Sequence, residues 1–190
     1  MTAKRALRLL LVLSAALYVG CSDAGNHETG RPPVLTPAGK VAKFVPAAAA
    51  PKAVPDLAFT GAGDKPVKLS DFRGKTVLLN FWATWCAPCK VEMPSLDRLQ
   101  AKVGGDGFAV VAISSDRAGK GAVDPYFDQN GIKLARYYDP QNAAGMALGV
   151  TGLPTSVLVD KDGRELGRLT GDAEWDSDDA VALVKQAMGK

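Results

Sequence analysis

Apolar residues gather in short continuous runs over the second two thirds of the chain, separated by stretches where they recur every three or four residues. The run Val77-Leu78-Leu79-Asn80-Phe81-Trp82 predicts a central buried strand over 76–82, and Phe108 to Ile113 predicts a second, parallel one. Between them Met93, Leu96, Leu99 and Val103 share one face of a helix that starts near Cys86 and stops at Gly104-Gly105-Asp106-Gly107. Upstream, Leu57-Ala58-Phe59 and Pro66-Val67-Lys68-Leu69 flank a Gly-Ala-Gly-Asp turn and predict a hairpin. Downstream the pattern predicts a helix over 122–130, a short strand at 135–138 and a small helix at 142–148. A hairpin from 155–160 and 164–170, closed by Lys161-Asp162-Gly163, leads to a last helix over 177–188. This order predicts one α/β domain over 56–190, a sheet with helices on both faces, with no internal repeat.

The first 55 residues read differently. Lys4, Arg5 and Arg8 precede the apolar stretch Leu9 to Val19, which is shorter than the ~20 residues that span a bilayer. Residues 1–20 are therefore expected to be a signal peptide or membrane anchor. The stretch ends in Gly20-Cys21-Ser22, which resembles a bacterial lipoprotein cleavage site, with Tyr18 where leucine is usual. Cys21 is the lipidation candidate; an uncleaved anchor and free secretion are the alternatives. Residues 21–55 hold six of the twelve prolines and the run Ala47 to Ala50, which predicts a disordered tether.

Composition narrows the chemistry. A chain of 190 residues with 47% hydrophobic residues can build a core. Three of the 23 basic residues lie in the first twenty positions, leaving 20 against 20 acidic ones. A neutral domain gives no electrostatic case for nucleic acid.

Trp85-Cys86-Ala87-Pro88-Cys89 puts two thiols one helical turn apart where the central strand hands over to the helix. Unpaired N–H groups and the positive end of the helix dipole favour thiolate there. A thiolate is the nucleophile of disulfide exchange, and a second thiol three residues on can close the ring. The pair could also be half a zinc knuckle, completed by a second chain, or a structural staple, which gains little from so short a loop.

Asn80-Phe81-Trp82-Ala83-Thr84-Trp85-Cys86-Ala87-Pro88-Cys89 together with Gly152-Leu153-Pro154-Thr155 resembles the thioredoxin fold. Leu69 to Lys75, Glu92-Met93-Pro94, Leu153 to Asp160 and Ala173-Glu174-Trp175 resemble the TlpA-like family of membrane-tethered periplasmic proteins, over about residues 56–188. The resemblance implies a central mixed sheet flanked by helices, an N-terminal β-hairpin and a central α/β insertion. It implies a protein-disulfide reductase that needs no cofactor or metal, acts as a monomer and is reduced by a transmembrane thiol donor. Its clients would be copper-site assembly factors of cytochrome oxidase or, alternatively, apocytochrome c. Thiol peroxidase and copper-binding module are the readings from other classes, the latter with Met93 and Met146 as added ligands.

Within this frame Cys86 is expected to be the exposed attacking thiolate and Cys89 the shielded resolving thiol. Pro88 suits the first helical turn, where a missing N–H costs nothing. Trp85 would form an aromatic wall beside Cys86, with Trp82 in the core. Ala87 lies inside the motif without an assigned role, and Pro94 should kink the helix. The resemblance implies a cis Leu153–Pro154 bond, with the freed backbone of Leu153 able to pair with a client strand. Glu92 falls three residues beyond Cys89 and is the candidate proton carrier, set against an ordinary solvated glutamate favoured by the dipole. Asn80 stands where a buried aspartate is usual in ordinary thioredoxin, which shifts proton handling to Glu92 or water. Trp175 reads as a packing staple before the last helix and Asp71 as a turn or capping residue.

Overall fold

The computed structural model describes residues 33–48 and 50–190. The export segment, Cys21 and the beginning of the expected tether lie outside the described residues.

Eight strands form one sheet, β1 (Val45–Pro46), β2 (Ala58–Gly61), β3 (Pro66–Lys68), β4 (Thr76–Trp82), β5 (Phe108–Ser114), β6 (Tyr137–Tyr138), β7 (Thr155–Val159) and β8 (Glu165–Thr170). They lie side by side in the order β1-β8-β7-β4-β5-β6-β2-β3. Four helices accompany them, α1 (Ala87–Val103), α2 (Lys120–Asn130), α3 (Ala143–Ala147) and α4 (Asp178–Ala187). β4 pairs parallel with β5 and antiparallel with β7, so the sheet is mixed. From β2 onward the elements follow the order predicted from the apolar pattern.

The two faces of the sheet are separated by the period-2 alternation of β4. Leu78 and Trp82 point into a core shared with Cys89, Met93, Leu96 and Leu99 of α1, Phe127 of α2 and Leu183 of α4. Val77, Leu79 and Phe81 point into the other core, with Leu57, Phe59, Leu69 and Leu148. Burial on both faces is why β4 reads as continuous apolar sequence rather than alternation. It also places Asn80, fully buried, on the α1 side and opposite Ser156 of β7.

Helix α1 runs unbroken through Pro94. The proline ring removes the N–H that the Lys90 carbonyl would accept from, and the Tyr126 hydroxyl donates to that carbonyl instead, at 3.5 Å. The outer strands β1 and β3 each carry a proline, Pro46 and Pro66.

The expected tether is overturned for its second half. Leu35, Val41, Phe44 and Val54 are all buried, and β1 adds to the sheet beside β8. The Ala47 N–H donates to the Leu166 carbonyl (2.8 Å) and the Val54 N–H to that of Gly163 (2.9 Å). At the α4 end, Gln186 Oε1 accepts from the Thr36 N–H at 3.0 Å, and Lys40 pairs with Glu174 at 3.1 Å. Gly167 makes the docking possible, because a Cβ there would lie 2.5 Å from the Phe44 ring. Proline and alanine dominate the segment's composition, but a few apolar residues suffice to anchor it, since the sheet edge supplies the backbone partners. The folded unit therefore starts upstream of residue 56.

Truncating one of these anchors should cost what a core truncation costs. Phe44→Ala is expected to lower the unfolding free energy by about 3 kcal/mol in urea denaturation. A loss under about 0.5 kcal/mol would mean that the docked segment contributes nothing to stability.

Candidate active site

The parallel strands β4 and β5 end side by side at Trp82 and Ser114, and the chain beyond both ends builds the site. This is where ligands meet open α/β sheets. The loop from Ala83 to Cys86 is held by Asp116, a buried carboxylate just past β5. Asp116 accepts from the Thr84 N–H (2.8 Å), the Thr84 hydroxyl (2.6 Å) and the Ser114 hydroxyl (2.7 Å). The Cys86 N–H closes the turn onto the Ala83 carbonyl at 3.1 Å.

Cys86 is the N-cap of α1, with Ala87 and Pro88 opening the helix, and its Sγ accepts from the Cys89 N–H at 3.3 Å. The two cysteines form a disulfide with an S–S distance of 2.02 Å. A sulfur in this position faces the orphan donors of the helix start, so a thiolate there gains charge-assisted hydrogen bonding. The expectation of an exposed Cys86 needs correcting for the oxidised pair. Cys86 retains 6% exposure and Cys89 none, and both belong to the core on the α1 side of the sheet.

A groove of about 540 Å³ lies against this disulfide, lined by Trp85, Cys86, Ser115, Asn142, Val150 and Leu153 among others. Trp85 is 70% exposed and forms one wall, whereas Trp82 is buried in the core. Leu153 stands on the facing wall, and the Leu153–Pro154 bond is cis. Cys86 thus faces the groove, and Cys89 lies behind it.

Glu92 is not a solvated glutamate. It lies on the buried face of α1, one turn past Cys89, with 2% exposure. Its Oε1 accepts from Asn80 Nδ2 at 2.7 Å; its Oε2 accepts from the Ala173 N–H and Trp175 Nε1, both at 3.2 Å. Burial pushes its acid up to about 7, against the three N–H donors, which favour the carboxylate. The outcome is a carboxyl group balanced between its two states near neutral pH. Asn80 is itself steadied by Ser156 Oγ, to which Nδ2 donates at 3.0 Å.

Trp175, read from the sequence as a staple, is fully buried and is one of the donors to Glu92. Ser95 ties its loop to α1, accepting from the Trp175 N–H at 3.0 Å and donating to the Glu92 carbonyl at 2.7 Å. Met93 is buried in the core and Met146 is exposed on α3. Among the described residues no three His, Cys, Asp or Glu side chains cluster as a metal site. No helix among them is long and apolar enough to cross a membrane.

The model of the family described as Redoxin matches residues 48–184. The chain belongs to the redoxin family. This redoxin is 36% identical over 121 residues to the thiol-disulfide oxidoreductase ResA of Bacillus thuringiensis, covering 64% of the chain and 69% of the relative. A solved structure from Chlorobium tepidum, described as a thiol:disulfide interchange protein DsbE, superposes with a TM-score of 0.67 at 34% identity. That match covers 73% of this chain and 97% of that one. The exposed lipoprotein thioredoxin of Streptococcus pneumoniae superposes with a TM-score of 0.55 at 28% identity, over 69% of this chain and 97% of that one. This redoxin is a thiol:disulfide oxidoreductase of the TlpA/ResA type with a thioredoxin-like α/β fold.

The structure brings Trp85, Cys86 and Leu153 to the groove and Asn80 to Glu92 behind it. Ser156, Ser95, Asp116, Ser115 and Asn142 had escaped the sequence reading. Ser156 carries a legible signal, a polar residue inside the apolar run of β7 opposite Asn80. Asp116 and Asn142 carry none, because Thr84 and Ser115, the partners that tie them to the site, lie 32 and 27 positions away.

The raised acid of Glu92 has a defined effect on stability. An acid at about 7 in the folded protein and 4.5 when unfolded binds its proton more tightly in the folded state. That stabilisation is complete below about pH 4.5 and is lost as pH rises through about 7. Relative to Glu92→Gln, the oxidised wild type should lose about 3 kcal/mol of unfolding free energy over this window. Denaturant titrations at stepped pH measure it, and parallel profiles for the two proteins would rule out the buried acid.

Proposed function

We propose that the protein reduces disulfides of client proteins on the periplasmic side of the bacterial inner membrane, held there by its N-terminus. The carrying observation is the placement of the pair: Cys86 faces the groove, while Cys89 is sealed behind it, one turn from an acid near neutrality. In the reduced protein the Cys86 thiolate attacks one sulfur of a client disulfide. The client S–S bond breaks, a mixed disulfide forms, and one client thiolate leaves. Cys89 passes its proton to the Glu92 carboxylate and attacks Cys86 Sγ. The second client sulfur leaves as the Cys86–Cys89 bond closes. Two electrons have passed to the client, whose two thiolates take up one proton from Glu92 and one from water. A transmembrane thiol donor then returns two electrons and two protons to the pair.

Trp85, Leu153 and Pro154 serve client docking in this reading, with the Leu153 backbone beside the sulfurs as the pairing edge. Ala87, Pro88, Pro94 and Asn80 support the helix and its acid. Location and tether rest on the basic-apolar start of the chain and on Cys21 after Gly20. The pneumococcal neighbour described as an exposed lipoprotein supports them. Resemblance to the TlpA-like family favours copper-site assembly factors of cytochrome oxidase as clients, with apocytochrome c as the alternative.

A reductase should hold its disulfide toward the reducing end, nearer ~−270 mV than the ~−120 mV of a strong oxidant. Equilibration of Cys86–Cys89 with a thiol buffer measures this, and a value at the oxidising end would reverse the assigned direction. In exported extracts Cys89→Ser should accumulate mixed disulfides through Cys86, and mass spectrometry of the adducts would name the clients. Cys21→Ser should release the protein from the membrane fraction; full retention would instead favour an uncleaved apolar anchor.

A further inference from the structure

We propose that Asn142 is a specificity-determining residue of the groove, whose carboxamide Nδ2 donates to a main-chain carbonyl flanking the attacked cysteine of the client. The inference rests on the reading of the groove as the client side of a disulfide reductase. It assigns the enzyme a substrate class: disulfides carried on an extended peptide chain.

Asn142 lines the groove together with Trp85 and Cys86 and occupies the left-handed region at φ 54°. After glycine, asparagine is among the residues that adopt this region most readily, so the backbone suits the turn. Three independent features set the carboxamide. First, Asn142 stands at the N-cap of α3, a position whose side chain normally caps the helix. Here Asp139 does so instead, accepting from the Ala143 and Ala144 N–H groups at 2.9 and 2.8 Å. The Asn142 carboxamide is thereby released from its usual partner.

Second, α3 carries Gly145 one turn on, and a Cβ there would lie 2.3 Å from Asn142 Oδ1. Glycine is poor in a helix interior, and here it clears the space the carboxamide occupies. Third, the Ser115 hydroxyl donates to Asn142 Oδ1 at 3.1 Å. Ser115 is fixed in turn, because its N–H donates to the Trp82 carbonyl at 2.9 Å, at the end of the strand that leads to Cys86. This bond orients the amide: Oδ1 is engaged, and Nδ2 makes no hydrogen bond among the described residues. A positioned donor therefore stands at the groove, whose lining also includes Leu153. Any protein client brings a carbonyl on each side of its cysteine, which a small dialkyl disulfide does not.

The test compares Asn142→Gly with wild type, both reduced, on a short disulfide-bridged peptide and on bis(2-hydroxyethyl) disulfide. Glycine suits the left-handed backbone, so the variant keeps the turn and deletes the whole carboxamide, the donor together with the Oδ1 that Ser115 engages. The ratio of kcat/KM for the peptide to the rate constant for the small disulfide should fall roughly three- to tenfold, the worth of one hydrogen bond. Ser115→Ala, which frees the amide to rotate, should lower the same ratio by less. An unchanged ratio in Asn142→Gly overturns the proposal. So does a shifted midpoint potential with both rates falling together, which would make Asn142 a support of the disulfide. A wild type that reduces neither disulfide would defeat the reductase reading itself, and this inference with it.

Discussion

The structure turns on the burial of one carboxyl group. A carboxylate removed from water is costly unless hydrogen bonds replace its solvation. Glu92 finds three donors on two separate segments: Asn80 on the central strand, and Ala173 and Trp175 in the loop before α4. None of these donors is effective alone. Asn80 is held by Ser156 of the neighbouring strand, and the Trp175 loop is laced to α1 through Ser95. The register of β4 with β7 and the packing of α4 are thus conditions for the acid's position. Burial outweighs donation, and the acid is held up at about 7.

A second buried carboxylate governs the other side of the disulfide. Asp116 grips both polar groups of Thr84 and so fixes the turn that carries Trp85 and Cys86. The two acids divide the labour by environment. One is exchangeable in proton state and lies behind Cys89; the other is consumed in hydrogen bonds to the loop and serves geometry. Asn80 fits this division, since an amide donates to Glu92 where a second carboxylate would repel it.

Much of this was legible in the chain. The unbroken apolar run from Val77 to Trp82 announces a strand buried on both faces, and the spacing of Met93, Leu96 and Leu99 announces the helix that covers it. The same spacing puts Glu92 on the inner face, although periodicity alone could not weigh burial against a place in solvent. What completes the cage was illegible for a physical reason. Trp175 and Ser156 lie 83 and 64 positions from Glu92 along the chain, so only the folded topology makes them neighbours. The stretch from Leu35 to Val54 misled for the opposite reason. Its composition resembles disorder, and its order comes from a sheet edge that supplies the hydrogen bonds its own sequence does not specify.

The prolines of the two outermost strands bear on how such a protein survives its own substrates. An enzyme that handles chains with exposed segments risks being extended by them, strand upon strand, at any free sheet edge. Pro46 in β1 and Pro66 in β3 interrupt the row of donors on both flanks of the eight-stranded sheet, and each strand is too short to template another. Among the described residues, both flanks are thereby poor templates for a further strand.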